Sequence, residues 1–323
     1  MATKPAYHLL SSIILLLFLN VVPNTAHLNS NVNPFGFIKN LEGCKKGQNV
    51  EGLHHLKSYL AKFGYLEPLY YHPVVPKIGV NTTSMTIQKD DQLFNESLEK
   101  AIRTYQLNYR LNVSGHLDAA TVQQMMKPRC GFADIINGKN TMQREDKKIG
   151  YKSRKSMYGT SLYALIGRRW PSYQLTYQVQ SQTLVSGAEN MRYIVAQQLY
   201  KWAQYSPFTF QEVPEGSQSD LVFGFAQGDH GDGYPFDGIG GILAHSFSPS
   251  DGRSHYDATE YWSDNPGQHE MDLNSVVLHE IGHLLGLAHT QDPTAVMHSG
   301  ISPGERKRFL QEDDVEGIQA IYG

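Results

Sequence analysis

The spacing of apolar positions changes along the chain, and each change marks a segment with a different structural future. An apolar run from Leu9 to Val22 follows the single Lys4 and stops at small and polar residues around Asn24, Thr25 and Ala26. That is the shape of a secretory signal peptide cut after about Ala26. A membrane anchor is the alternative, but crossing the hydrocarbon takes about 20 apolar residues. This run is shorter and is broken by Ser11, Ser12 and Asn20.

From about Leu41 to Met126 the period is helical, with Leu53, Leu56, Leu60 and Phe63 in one stripe and Leu98, Ile102, Tyr105 and Leu107 in another. A short last helix, Ala119 to Met126, opens on Asp118 as its cap. Periodicity fades from Ile135 to Ser161, where Lys147, Lys148, Lys152, Arg154 and Lys155 gather among Gly and Ser. Such a stretch predicts a protease-sensitive linker. Beyond Tyr163 strand and helix signals mix. Leu175, Tyr177 and Val179 alternate as in a strand, whereas Met191, Ile194, Leu199 and Trp202 follow helix spacing. Short strands are predicted at Phe208 to Val213, Asp220 to Phe225, Gly241 to Phe247 and His255 to Trp262. A long helix from about Leu273 to Leu285 and a last one from about Glu312 to Tyr322 complete the domain. The division is therefore a signal over 1–26, a helical domain over 27–134, a linker over 135–162 and a mixed domain over 163–323.

Composition excludes some partners. A formal charge of -3 over 323 residues gives no basic field for nucleic acid and no polybasic stretch for an anionic membrane. The sequons at Asn81, Asn95 and Asn112 agree with a secretory route. Only two cysteines are present, Cys44 and Cys130, so stability must come from packing and metal ions unless these two pair with each other.

Chemistry concentrates in the histidines, of which eight lie between His230 and His298. In the segment His279-Glu280-Ile281-Gly282-His283-Leu284-Leu285-Gly286-Leu287-Ala288-His289, the first two histidines stand four apart and share one helix face. Glu280 is rotated about 100° from His279, placed to reach a water beside a metal without binding the metal itself. Gly286 suits a left-handed turn after the helix, which can return His289 to the same ion. Three neutral imidazoles leave a fourth tetrahedral position open, the arrangement of a catalytic zinc. Glu280 is the expected general base.

This motif, followed by Met297 in Ala295-Val296-Met297-His298, resembles the metzincin clan of metalloproteases, whose methionine turn forms an apolar floor under the metal. More narrowly the chain resembles the matrix metalloproteinases, from about Leu41 to Gly323. The resemblance implies an α+β protein: a three-helix, peptidoglycan-binding-like propeptide, then a catalytic domain with a twisted mixed five-stranded sheet and three helices. It implies a structural zinc held by His230, Asp232, His245 and His255. It also implies a calcium loop, with carboxylates from Asp237, Asp257 and Glu260 and carbonyls from Gly238, Gly240 and Ile242. A further calcium at Asp220 lacks an acidic partner, since Arg253 and Ser254 precede His255.

Pro128-Arg129-Cys130-Gly131-Phe132-Ala133-Asp134 is similar to the cysteine switch of the same family. The implied zymogen keeps Cys130 on the catalytic zinc, with Arg129 and Asp134 pairing to hold the loop; a Cys44–Cys130 disulfide would instead consume that thiol. Phe132 and Ala133 depart from the commonest family residues. The chain ends after the catalytic segment without the propeller-like domain of many animal relatives, as expected of a plant-type member. The implied protein is a monomeric, secreted endopeptidase acting on extracellular proteins. Its substrate should lie extended beside Leu243 and Ala244, with an apolar pocket bordered by Met297 to Ile301. Ser275 and Ile301 predict that this pocket is fairly deep. The mature N-terminus is expected between about Ser156 and Tyr163.

Overall fold

The three helices of the N-terminal half are set by local signals that agree with their packing. Helix α1 (Leu53–Lys62) places Leu53, Leu56 and Leu60 on one buried face. Helix α2 (Glu96–Asn108) begins where the Asn95 side chain accepts from Leu98 N, and buries Leu98, Ile102 and Tyr105. Helix α3 (Ala119–Met125) begins where Asp118 accepts from Thr121 N. A side-chain cap of this kind stabilises a helix by about 1 kcal/mol. The three faces meet a 3-10 turn at Gly36–Leu41 in one apolar core, which also receives Phe236 and Ile242 from the C-terminal half.

The computed structural model describes residues 33–67, 92–142, 169–180 and 185–323. The expected signal segment, the sequon at Asn81, linker residues 143–162 and the expected mature N-terminus lie outside the described residues. Asn95 is half-buried and Asn112 exposed. The described residues all belong to one compact unit.

After α3 the chain forms β1 (Arg129–Cys130), then β2 (Ile135–Ile136) and β3 (Lys139–Asn140). Strands β2 and β3 form a hairpin turned at Asn137 and Gly138, both with positive φ. Asn-Gly is the preferred pair for this turn. Residues 135–142, expected as the start of a linker, are thus packed: Thr141 N donates to Asp134 O, and Met142 is fully buried in the helical core. Loss of periodicity was the wrong guide here, because a two-residue strand is too short to display a period.

The C-terminal half follows with β4 (Gln174–Val179), α4 (Met191–Ala203), β5 (Thr209–Glu212), β6 (Leu221–Ala226), β7 (Ile242–Ser246) and β8 (Arg253–Asp257). Two short strands, β9 (Trp262–Ser263) and β10 (Met271–Asp272), precede α5 (Leu273–Leu284) and α6 (Glu312–Tyr322). The expected strand from His255 to Trp262 is thus two strands. Asp257 Oδ1 accepts from Thr259 N and Oγ1, which turns the chain between them. The main sheet has the order β1-β7-β8-β6-β4-β5, parallel except for the antiparallel pair β7 and β8. Five strands come from the C-terminal half, as expected. The sixth, β1, comes from the helical half and pairs in parallel with β7.

Every residue of α5 is buried between the sheet and α4. Trp202 of α4 is fully buried and donates from Nε1 to Leu278 O at 2.9 Å. Gly282 faces Trp202 and Met297, where an added Cβ would lie 3.0 Å from Met297 Cε, 3.1 Å from Trp202 Cζ2 and closer still to Met297 Sδ. Alanine is otherwise the better helix residue by about 1 kcal/mol. Overpacking commonly costs about 1–3 kcal/mol, so Gly282→Ala is expected to lower the thermal unfolding midpoint. An unchanged or higher midpoint would show that Met297 is not wedged beneath the helix.

Candidate metal centre

Helix α5 brings His279 and His283 to one face, one turn apart. The helix ends at Leu284, and Gly286 takes a φ of 100°. Its N–H bonds to His283 O at 3.0 Å while Leu287 N bonds to Gly282 O at 2.9 Å. This is the left-handed termination expected of a glycine, and it returns the chain so that His289 meets the other two. The three Nε2 atoms converge: His283 Nε2 lies 3.0 Å from that of His279 and 3.2 Å from that of His289.

Each ring is held from behind. His279 Nδ1 donates to Val296 O at 2.7 Å, His283 Nδ1 to Leu287 O at 2.9 Å and His289 Nδ1 to Asp134 Oδ1 at 2.8 Å. With the protons on Nδ1, three Nε2 lone pairs point at a single spot. Burial pushes the pKa of all three down, so the rings are neutral and able to ligate. Cys130 Sγ shares the spot, all four ligand atoms lying within 4.8 Å of one another. Three imidazoles and a sulfur, inward-facing and buried, fit a tetrahedral zinc.

Glu280 is fully buried, and neither carboxylate oxygen has a hydrogen-bonding partner. Burial pushes it up to about 7, while the nearby Cys130 and Ser246 favour its ionised form. An orphaned carboxylate is costly unless something polar is to meet it there.

A second group forms around Asp232. His230 and Asp232 lie on the loop after β6, and His245 of β7 stands opposite His255 of β8 in the antiparallel register. His230 Nε2, His245 Nε2 and His255 Nδ1 each lie 2.8 Å from Asp232 Oδ2. Burial lowers His245 to about 4. Burial lowers His255 as well, and three imidazoles with a carboxylate make a group of four that could hold a metal ion.

The acidic loop is gathered less tightly. Among the described residues two groups converge within 4.8 Å, and Asp237, Asp257 and Glu260 are not one of them. Even so, Asp237 Oδ1 accepts from Ile242 N, Glu260 Oε1 accepts from Gly240 N, and Asp257 Oδ2 is buried without a partner. Gly238 and Gly240 turn the loop with φ of 93° and 82°. A Cβ at Gly241 would strike the Asp237 carboxylate. Burial pushes Glu260 up to about 8 and raises Asp237, with the neighbouring carboxylates adding to the shift. Asp220 is otherwise engaged: it accepts from Thr176 N and Oγ1 and ties β4 to β6.

Cys130 and Cys44 are both free, so the disulfide alternative does not occur here. Cys44 sits in the helical core. Strand β1 is clamped on both sides, with Arg129 N on Gly241 O, Gly131 N on Ala244 O, Cys130 N on Ser299 O and Ile301 N on Pro128 O. Arg129 and Asp134 are both buried and pair at 2.8 Å. Burial alone would raise the Asp134 carboxyl, but Arg129 and His289 outweigh it and hold it well below the usual carboxylate range. Arg129 also stacks on Phe63, its guanidinium carbon 3.6 Å from the ring centroid.

Several residues here carry no signal in the sequence. Tyr65 and Tyr109 donate to Asp134 Oδ2, and Tyr109 shares a 2.7 Å hydrogen bond with Ser299 Oγ across the two halves. The cleft beside the metal group is lined by Leu243, Val276, Val296 and Ile301, and also by Ser275 and Lys307. Met297 is not part of that wall. It turns inward beneath α5, and its neighbour Val296 lines the cleft instead.

Residues 169–323 match the Matrixin family and residues 49–125 match a peptidoglycan-binding domain family. Metalloendoproteinase 2-MMP of Arabidopsis thaliana is 38% identical over 298 residues, covering 88% of this chain and 74% of its own. Metalloendoproteinase 1 of Glycine max is 38% identical over 285 residues, 86% and 84% of the two chains. Matrix metalloproteinase-16 of Homo sapiens is 33% identical over 291 residues, 87% of this chain and 43% of its own. The matrixin match implies the zinc that the three-imidazole group fits, and no helix among the described residues is long and apolar enough to cross a membrane. With a metal-binding face of this geometry and relatives of this kind over most of its length, the chain belongs to the matrixin family of metalloendopeptidases.

Proposed function

We propose that the chain is the zymogen of a secreted zinc endopeptidase, in which Cys130 closes the catalytic metal site. The observation that carries this reading is the meeting of Cys130 Sγ with the three Nε2 atoms. The thiol is buried, and burial together with the neighbouring Glu280 carboxylate pushes its pKa up. A sulfur in that environment is held as thiolate when a metal cation balances it.

Residues 27–142 form the propeptide in this proposal, the β2–β3 hairpin included. Cleavage in the segment that follows frees a catalytic domain beginning near 163. Strand β1 occupies the edge of β7 between Gly241 and Ala244, and an extended substrate takes the same edge once β1 has left. When bound, zinc supplies Lewis acidity to the substrate carbonyl and to water. Glu280 takes the proton from the attacking water and passes it to the leaving amine. His230, Asp232, His245 and His255 hold a structural zinc, and the loop of Asp237, Gly238, Gly240, Ile242, Asp257 and Glu260 holds calcium. The enzyme acts as a monomer on extracellular proteins.

Metal analysis of the intact precursor is expected to return two zinc ions per chain, with His283→Ala losing one and His255→Ala losing the other. Equal zinc in all three proteins would contradict the assignment. Relative to the uncut parent, the Cys130→Ser precursor is expected to show increased chelator-sensitive cleavage of a quenched peptide, because loss of the sulfur weakens the hold that keeps β1 on the substrate edge. Adding Glu280→Ala should lower kcat by about 10²–10⁴-fold; latency that survives Cys130→Ser would remove the latch from the account. Because Leu243, Val276, Val296 and Ile301 line the cleft, peptide libraries should show an apolar residue just after the cleaved bond. A preference for charged residues there would contradict this.

A further inference from the structure

The hydrogen bonds that orient the three imidazoles do not come from one domain. His279 and His283 donate to Val296 O and Leu287 O, neutral carbonyls of the C-terminal half. His289 donates to Asp134 Oδ1, a charged oxygen lying 155 residues earlier in the propeptide loop. Both side chains are fully buried. Asp134 is itself fixed by Arg129, Tyr65 and Tyr109, all anchored in the helical domain. Phe132 of the same loop lies flat on His283, with ring centroids 4.1 Å apart and planes 14° apart, and meets His289 edge-on at 5.7 Å.

A carboxylate behind a ligating imidazole fixes its tautomer and ring plane and makes the opposite nitrogen a stronger donor; losing such a partner commonly costs about 10–100-fold in metal affinity. We propose that the propeptide completes the outer shell of the catalytic metal, with Asp134 as the positioning residue for His289, so that the precursor grips zinc more tightly than the Cys130 sulfur alone accounts for. The proposal rests on reading His279, His283 and His289 as a zinc site. Its consequence for activation is specific. Withdrawal of the propeptide removes two contributions at once, a sulfur from the metal and a negative charge from behind His289. The freed enzyme is then more easily stripped of zinc than its precursor.

The test uses the full-length chain carrying Glu280→Ala, which prevents self-processing. Zinc transfer to a colorimetric chelator is compared with and without Asp134→Asn, in the Cys130 and Cys130→Ser backgrounds. Cobalt-loaded samples report the sulfur through its thiolate charge-transfer absorption. Asp134→Asn is expected to weaken zinc retention about 10–100-fold in both backgrounds, with the thiolate absorption intact where Cys130 is present. Unchanged retention with that absorption intact overturns the proposal. If Asp134→Asn itself abolishes the absorption, proton NMR of the zinc-loaded chain with Asp134 restored decides. The His289 Nδ1–H should resonate downfield of those of His279 and His283, because its acceptor alone is charged, and coincident shifts overturn the proposal. A parent chain that binds no zinc, or shows no thiolate absorption with Asp134 in place, would overturn the underlying zinc and latch reading instead.

Discussion

Three imidazole nitrogens facing one point are unfavourable until something positive stands between them, and much of the chain is arranged around enforcing that meeting. Helix α5 is buried along its whole length, so His279, Glu280 and His283 have no solvent to turn toward. The glycine turn after it spends one left-handed residue to bring back His289. Met297 and Trp202 pack against Gly282 from below and fix the height of the helix over the sheet. The buried imidazoles and the Glu280 carboxylate would be a poor choice for stability alone, since buried polar groups must find partners or cost free energy. Their common reason is a metal ion.

The helical half contributes more than one residue to the metal centre. Its strand extends the main sheet, its loop carries a buried ion pair, and its tyrosines reach from the helical core to the cleft wall at Ser299. Breaking a buried pair by removing one partner commonly costs about 3–5 kcal/mol, because the other charge is left without compensation. Arg129 and Asp134 satisfy each other within one loop, so neither charge is left buried without a partner.

How much of this was legible in the sequence depended on whether a feature is local. The helices over 53–62 and 273–284, the left-handed turn at Gly286 and the pairing of His279 with His283 are encoded within a few residues of one another, and periodicity and spacing are enough to find them. The second histidine group was legible only through family resemblance, because His230, His245 and His255 come together through strand register, which spacing does not disclose. Tyr109 and Tyr65 escaped for a related reason: each looks like an ordinary core residue until Asp134 and Ser299 are brought beside them. The hairpin at 135–140 escaped because two short strands and an Asn-Gly turn leave no periodic trace.

Sulfur in the coordination shell of the zymogen is the claim on which latency, the latch geometry and the role of Cys130 all turn. X-ray absorption at the zinc edge of the intact precursor observes that shell directly. The account predicts a sulfur scatterer at about 2.3 Å beside the imidazole nitrogens, present in the precursor and gone after the linker is cut. A shell of nitrogen and oxygen alone in the uncut protein would contradict it.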